Sequence, residues 1–484
     1  MTTKSQKQNT DGKPNGNDSH AVVIGSSMAG LMAARVLADY FDRVTVIERD
    51  ELPDGPLSRR GVPQGRHVHS VLARGDQIME RLFPGLFHTL LQEGAELIDL
   101  SNDMSWHHFG VTKLKFVSGV GMYTLSRPFL EWHVRKRLTD CPNVKLIDQC
   151  KVLGFLTNTG RTRITGVDIR FDNAISQGDR QGRDEELKAD LVVDASGRGS
   201  RTPQWLEELG YPKPLEWVIN VNVGYATRFY RRPPGADKEW RVLLVYPTPP
   251  AETRLGVIFP VEENRWMATL AGWIGDHPPD DEQGYLEFAR NLSTPAFYKA
   301  VKDAEPLSPI VTHKFPSNLR RHYENLDKFP EGLVVLGDAL CSFNPIYGQG
   351  MTTAAMAVSI LGECLERQRK WGEDSTAMTH RFRRMSHKAV DTAWMIAASE
   401  DFRYPTVGRV PMSTKLINRY FHRVHELGSC DPEVHRRFLQ VMTMIKPAST
   451  IFHPRIIWRV LTSRLPNKPN KEEKHVYSET PQTF

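Results

Sequence analysis

Cysteine is scarce in this chain, and long apolar runs are missing. Its 484 residues include five cysteines, Cys141, Cys150, Cys341, Cys364 and Cys430, widely spaced and without a C-x-x-C pair. An odd, scattered set excludes a disulfide scaffold and a thiolate zinc cluster, and predicts a reducing, cytoplasmic setting. No stretch approaches the roughly eighteen uninterrupted apolar residues of a membrane span, so membrane contact is at most peripheral. Charge of one sign is also lacking: 63 Lys and Arg oppose 57 Asp and Glu, for a net +6. The basic residues are spread out, with short clusters only at Arg320–Arg321 and 381–384. Without a focused basic stripe or a recognition motif, a nucleic-acid partner is excluded. Residues 1–19 are polar and carry no apolar leader core; they and the polar residues 466–484 read as loose tails.

What is present suffices for a large folded protein. Hydrophobic residues make up 40% and charged residues 25%, enough to bury a core in two or three structural units. Residues 21–25 (AVVIG) form a continuous β-branched run that predicts a buried strand. A helix is expected over 28–40 and a second strand over 43–48, a β-α-β unit with parallel strands. Helices are expected at 76–93 and 125–139, strands at 144–155, 163–172 and 189–195, and a polar insert at 173–186. From 219 to 272 the pattern changes to alternating strands, with the turn VEENR between 254–260 and 266–272 suggesting a hairpin. The α/β signal returns with a strand at 332–336 and a helix at 350–368. From 375 to about 464 the chain reads as mostly helical.

The first strand runs into GSSMAG, residues 25–30. This is a dinucleotide turn with Ser27 at the second glycine position. Gly25 permits the tight turn, Gly30 permits close helix packing, and the helix start around Met28 and Ala29 presents free N–H groups to a pyrophosphate. Glu48, followed by Arg49, ends the second strand, where a carboxylate suits ribose hydroxyls and repels a 2′-phosphate; the site fits FAD or NAD. A second motif occupies 337–351. Gly337 and Asp338 follow a buried strand, and Pro345, Gly348, Gln349, Gly350 and Met351 lead into a helix. An Asp there can bind a polyol, and the glycines let backbone N–H groups reach a flat ligand with partial negative charge.

The run GDA-x5-P-x-x-G-x-G resembles the flavin-contacting motif of FAD-dependent monooxygenases related to para-hydroxybenzoate hydroxylase and squalene epoxidase. DASGRGSRTP at 194–203 is similar to that family's second motif. It departs at Ser196 and Pro203, which puts direct use of NADPH in doubt. The resemblance implies that Asp338 contacts the ribityl chain, that the Pro345–Met351 loop lies beside the isoalloxazine ring, and that Arg127 reaches the ribityl and phosphate region. The loop GVPQGRHVHS at 61–70 looks like that of bacterial polyene epoxidases of polyether biosynthesis. His67 and His69 in it are weak catalytic candidates; with no third ligand evident, no metal is expected.

The implied fold is α/β: a Rossmann-type FAD-binding domain, an inserted antiparallel-sheet substrate domain and a C-terminal helical region. The FAD-binding domain is expected from 20–80, 125–205 and 316–370, the substrate domain from 81–124 and 206–315, and the helical region from 371–465. The implied activity inserts one oxygen atom from O2 into an apolar small molecule, by epoxidation or hydroxylation, through a flavin C4a-hydroperoxide. NADPH or NADH supplies electrons, directly or through a separate flavin reductase. No general base is identifiable, which favours an olefin. A prenyl-type C=C reductase is the alternative. A halogenase would carry W-x-W, which the sequence lacks, and a non-catalytic isoprenoid binder has no need of the flavin motif.

Overall fold

The computed structural model describes residues 18–172, 184–404 and 412–465. Residues 1–17 of the tail expected at 1–19, the tail expected at 466–484 and most of the insert expected at 173–186 lie outside the described residues, while Ser19 is held by hydrogen bonds to Asp42.

Five strands form a parallel sheet in the order Leu333–Val335, Leu191–Asp194, His20–Ile24, Arg43–Ile47, Val144–Ile147. The central strand pairs in parallel on both sides, for example Val22 with Val192 and with Thr45. Its residues are all buried, as expected of a strand covered on both faces. Helix α1 (Met28–Leu37) follows it, α2 (Arg127–Thr139) packs nearby, and α3 (Gly350–Trp371) covers α1. Ser126 caps α2 by accepting a hydrogen bond from the Phe129 N–H.

The second layer is an eight-stranded sheet. Its order is Cys341–Ser342, Val311–His322, Leu215–Arg231, Arg265–Gly272, Arg254–Val261, Val242–Val245, Met104–His108, Val111–Thr112. All neighbours are antiparallel except Val242–Val245 with Met104–His108. Glu263 and Asn264 hold φ of 64° and 53°, the left-handed geometry that turns the expected hairpin. Side chains alternate across this sheet. One face, with Leu243, Val245 and Trp266, packs on Tyr285, Phe288 and Phe297 of two short helices. The opposite face carries Tyr225, Val257 and Phe259 inward. Helices α4 (Ser375–Asp401), α5 (Met412–Leu427), α6 (Pro432–Met442) and α7 (Pro454–Thr462) make up the C-terminal region.

Three expected elements differ. Residues 76–93 form two helices, Ala73–Leu82 and Leu86–Gln92, because Pro84 and the left-handed Gly85 break the helix between them. The strand expected at 144–155 is two, Val144–Ile147 and Cys150–Thr157, with Gln149 turning the chain at φ 50°. The end of the polar insert is a strand, Asp184–Lys188, paired antiparallel with Ile164–Phe171. Among the described residues no helix is long and apolar enough to cross a membrane.

Gly30 marks the tightest packing in the first unit: a Cβ there would lie 1.8 Å from the Gly25 carbonyl oxygen. Gly30→Val must displace backbone, and is expected to cost about 3 kcal/mol in urea unfolding. An unchanged unfolding midpoint would refute this account of the turn.

Candidate active site

The turn after the first strand is built for close approach. Gly25 sits at φ 97°, and a Cβ on it would lie 2.7 Å from the Ala195 carbonyl oxygen. Ser27 is the N-cap of α1, but its side chain does not cap the helix. Instead Ser27 Oγ accepts a 2.8 Å hydrogen bond from Arg127 Nη2. Met28 and Ala29 form the first turn. Arg127 is buried, pairs with Glu131 at 2.8 Å, and keeps Nη1 without a partner. A buried guanidinium with a spare donor beside an uncapped helix start suits a phosphate.

The second motif meets the first. A Cβ on Gly337 would come within 2.8 Å of the Ala29 side chain. Asp338 accepts no hydrogen bond among the described residues. Burial pushes its carboxyl up to about 6, against the pull of Arg198 and Arg127. Pro345 opens a short 3-10 turn, Pro345–Tyr347. Gly348 follows at φ 65°, where a Cβ would lie 2.7 Å from Ser70 Oγ. Gln349 caps α3 with backbone only, and its buried Oε1 has no partner. Gly350 begins α3, with Met351 half-buried beside it. The unpartnered Asp338, Gln349 Oε1 and Arg127 Nη1, with two glycine-lined turns, fit a bound dinucleotide.

Glu48 and Arg49 stand differently. Glu48 is buried, accepts from the Ser26 N–H and hydroxyl at 3.0 and 2.8 Å, and pairs with Arg59 at 2.9 Å. Burial opposes its ionisation, but Arg59 and these bonds hold its pKa below the usual carboxylate range. A ribose hydroxyl would have to share Oε1 with the Asp50 N–H. Arg59 also pairs with Asp50 and Glu131, a clamp that one Arg in a Pro/Gly-rich loop does not announce in sequence. Arg49 is exposed and lines a shallow depression with Arg60 and Gln149. In the 194–203 segment, Asp194 is consumed by the turn itself, accepting from Ser196, Ser200 and Thr202.

A cavity of about 110 Å³ lies between the inner sheet face and these loops. Tyr225, Val257 and Phe259 line it from the sheet, His67, His69 and Ser70 from one loop, and Pro345–Gly348 from the other. Trp106, Tyr246, Tyr347 and Met442 are shared with a second apolar cavity of similar size, roofed by α4, α5 and α6. His67 Nδ1 is 2.7 Å from Thr227 Oγ1. Burial, then His313 and His69, push its pKa down to about 3. His69 Nδ1 is 2.9 Å from the His67 carbonyl oxygen. A carbonyl only accepts, so Nδ1 carries the proton and Nε2 keeps its lone pair. Burial, opposed by that bond, brings His69 down to about 4. Both rings are therefore neutral at pH 7. Among the described residues no group of three or more His, Cys, Asp or Glu gathers as a metal site.

Behind the Pro345 loop sits Asp401, fully buried at the end of α4. Its Oδ1 accepts from Trp273 Nε1 (3.1 Å), Asn344 Nδ2 (3.1 Å) and the Tyr347 hydroxyl (2.8 Å), and Oδ2 from Asn318 Nδ2 (2.6 Å). Asn318 Oδ1 in turn accepts the Asn344 N–H at 2.6 Å, and Asn344 Oδ1 accepts the Tyr225 hydroxyl at 2.7 Å. Sequence reading misses this group, because its partners lie 54 to 128 positions away.

Burial raises Asp401 to about 6, with the four hydrogen bonds opposing. The native state thus holds a proton that the unfolded state has released above about 4, so stability falls as pH rises from about 4 to about 6. Asp401→Asn removes that titration and sets an amide NH2 against Asn318 Nδ2. The melting-temperature difference, wild type minus variant, is expected to shrink across that interval, followed by circular dichroism. A difference that stays level would mean Asp401 is ionised throughout.

No family model matches the chain. Protein Rv3254 of Mycobacterium tuberculosis is 33% identical over 456 residues, 92% of this chain and 94% of that protein. A kynurenine 3-monooxygenase of Salinispora tropica is 25% identical over 442 residues, 84% of this chain and 81% of that protein. The structure of PqsL, a probable FAD-dependent monooxygenase from Pseudomonas aeruginosa, superposes with a TM-score of 0.59 at 16% identity, covering 80% of this chain and 98% of PqsL. The flavin-dependent brominase Bmp2 superposes with a TM-score of 0.61 at 14% identity, covering 88% and 94%. These likenesses show an FAD-dependent monooxygenase-type fold, which by itself does not separate oxygen insertion from halogenation. Identity extends over nearly the full length of both proteins in the first comparison, and the chain belongs to the family of protein Rv3254 of Mycobacterium tuberculosis.

Proposed function

We propose that this chain is an FAD-dependent monooxygenase acting on an apolar small molecule. Gly25, Ser27, Met28, Ala29 and Gly30 receive the pyrophosphate, with Arg127 beside it. Glu48 and Arg49 serve the adenosine end. Gly337 and Asp338 hold the ribityl chain, and Pro345, Gly348, Gln349, Gly350 and Met351 border the isoalloxazine ring. Bound FAD supplies electron storage and oxygen activation. One oxygen atom of O2 enters the product and the other leaves as water. NADPH or NADH provides the two electrons, directly or through a flavin reductase.

The observation that carries this reading is the apolar cavity between the inner sheet face and the 345–348 loop. A ligand there is walled from water by Tyr225, Val257 and Phe259, which is what an oxygen-transferring site requires. The kynurenine 3-monooxygenase relative supports oxygen insertion over halogenation, as does the lack of W-x-W.

His69 sharpens the choice between epoxidation and hydroxylation. The ring lines the cavity, and its unprotonated Nε2 can accept a hydrogen bond from a substrate hydroxyl or amine, which would orient that group. A ring whose pKa is held at about 4 is a weak base, so its role is an acceptor more than a proton carrier. Sequence alone identifies no such acceptor. The structure therefore favours hydroxylation of a compound bearing such a donor over epoxidation of a plain alkene.

Asp338→Ala is expected to weaken FAD retention by about tenfold or more, measured by flavin absorbance after desalting; normal occupancy would remove Asp338 from the cofactor site. His69→Ala is expected to retain flavin but to slow turnover of a phenolic substrate by about 100-fold or more. Equal rates for the two proteins would return the reading to an olefin. Anaerobic reduction followed by oxygen mixing in a stopped-flow spectrometer tests the reaction class, through a transient absorbance preceding oxidised flavin that substrate shortens.

A further inference from the structure

The C-terminal helices present an apolar surface with no cover. On α7, Trp458 is 70% exposed and Leu461 73%, while Ile456 and Val460 on its other face are buried. On α5, Leu416 is 65% exposed. The two helices lie side by side. Tyr420 of α5 stacks on Phe452 at 5.2 Å, its hydroxyl donates to the Ile451 carbonyl at 2.7 Å, and Arg423 donates to the Val460 carbonyl at 3.3 Å. The exposed side chains thus stand on adjoining helices.

The charge around that surface is predominantly basic, with Arg459 paired to Asp431 at 2.7 Å and Arg423 to Glu426 at 3.7 Å. Residues 443–465 contain Lys446, Arg455, Arg459 and Arg464 and no Asp or Glu. Along α5, Lys415, Arg419 and Arg423 face a single acid, Glu426, which is buried. Lys415, Arg419, Lys446, Arg455 and Arg464 are exposed, and no acid pairs with them among the described residues. Elsewhere on the molecule exposed cations are repeatedly paired, as Arg231 is with Glu305 and Arg290 with Glu287.

We infer that α5 and α7 form a docking surface for an anionic lipid bilayer. Large apolar side chains on a short amphipathic helix, flanked by cations, suit insertion at the boundary between headgroups and acyl chains, where tryptophan is favoured. Unpaired cations near such a surface each add attraction to acidic lipids. A protein partner of ordinary composition would be matched by exposed charges of both signs, whereas the acids at this surface, Asp431 and Glu426, are buried and already paired, and the exposed unpaired charges are basic. The helix that carries Leu416 outward also lines the second cavity with Ile417, Phe421 and His425, so the proposed contact lies directly over the apolar interior.

The test is co-sedimentation of the full chain with vesicles of phosphatidylcholine alone and of phosphatidylcholine mixed equally with phosphatidylglycerol. The protein is expected to pellet with the anionic vesicles and to remain in solution with the neutral ones. Trp458→Ala combined with Leu461→Ala changes no charge and removes only exposed side chains. It is expected to weaken partitioning about tenfold or more, with an unchanged melting curve. Arg455→Glu combined with Arg464→Glu is expected to abolish the preference for phosphatidylglycerol. Failure of the wild type to bind anionic vesicles at low salt would overturn the proposal. So would equal binding by the Trp458/Leu461 variant, because net charge alone would then account for it. Light scattering without lipid supplies the remaining arm: a dimer that this variant converts to monomer would assign the face to a second copy of the chain.

Discussion

The buried carboxylate of Asp401 is the constraint on which the arrangement of the site depends. Taking a charge out of water costs several kcal/mol, and the cost is tolerable only when every lone pair finds a donor. Here the donors come from the eight-stranded sheet, through Trp273 and Asn318, and from the loop before α3, through Asn344 and Tyr347. None of these elements can shift alone without stranding the charge. The bonds also fix direction. Asn344 gives its amide hydrogen to Asp401, so its oxygen must face Tyr225, whose hydroxyl hydrogen is then committed. A charge at the end of α4 therefore decides which way a phenol on the cavity wall points its lone pairs, an effect carried by connected bonds rather than by proximity.

Around this polar frame the cavity is apolar, and the contrast follows from the sheet. Alternation sends Leu243, Val245 and Trp266 toward two short helices and Tyr225, Val257 and Phe259 toward the loops. The same low-polarity surroundings keep His67 and His69 neutral. A charged imidazole would draw water into the place where water is least wanted. Burial thus does two things here with one cause: it dries the cavity and leaves a lone pair on His69.

Much of the frame was legible in the sequence because it is written in local patterns. The run AVVIG, the turn GSSMAG and the strand ending in Glu48 lie within about thirty residues, and their periodicity and glycines read directly. The GDA and P-x-x-G-x-G segments are equally local, and the geometry brings Gly337 against Ala29. What escaped reading is non-local. Arg59 closes over Glu48 from a loop with no distinctive pattern, and Trp106 joins the eight-stranded sheet from a five-residue strand some 140 positions from Tyr246. Asp401 sits in a helical stretch where an acidic residue ordinarily faces solvent. The misplaced boundaries have simpler causes: Gly85 and Gln149 take left-handed geometry that a hydrophobic pattern does not encode.

The order of strands in the parallel sheet also sets a schedule for synthesis. The strand made first, His20–Ile24, lies at the centre, and its neighbour's outer partner, Leu333–Val335, is made roughly 300 residues later. At ribosomal speeds that interval lasts about 15 to 60 s. Over roughly its last 140 residues, after Leu191–Asp194 has been made, the edge of that strand has backbone groups exposed and an apolar flank waiting for a helix not yet translated. A nascent chain in that condition is a natural client for a chaperone, and the dinucleotide turn, although encoded near the start, is completed only as the last third of the protein emerges.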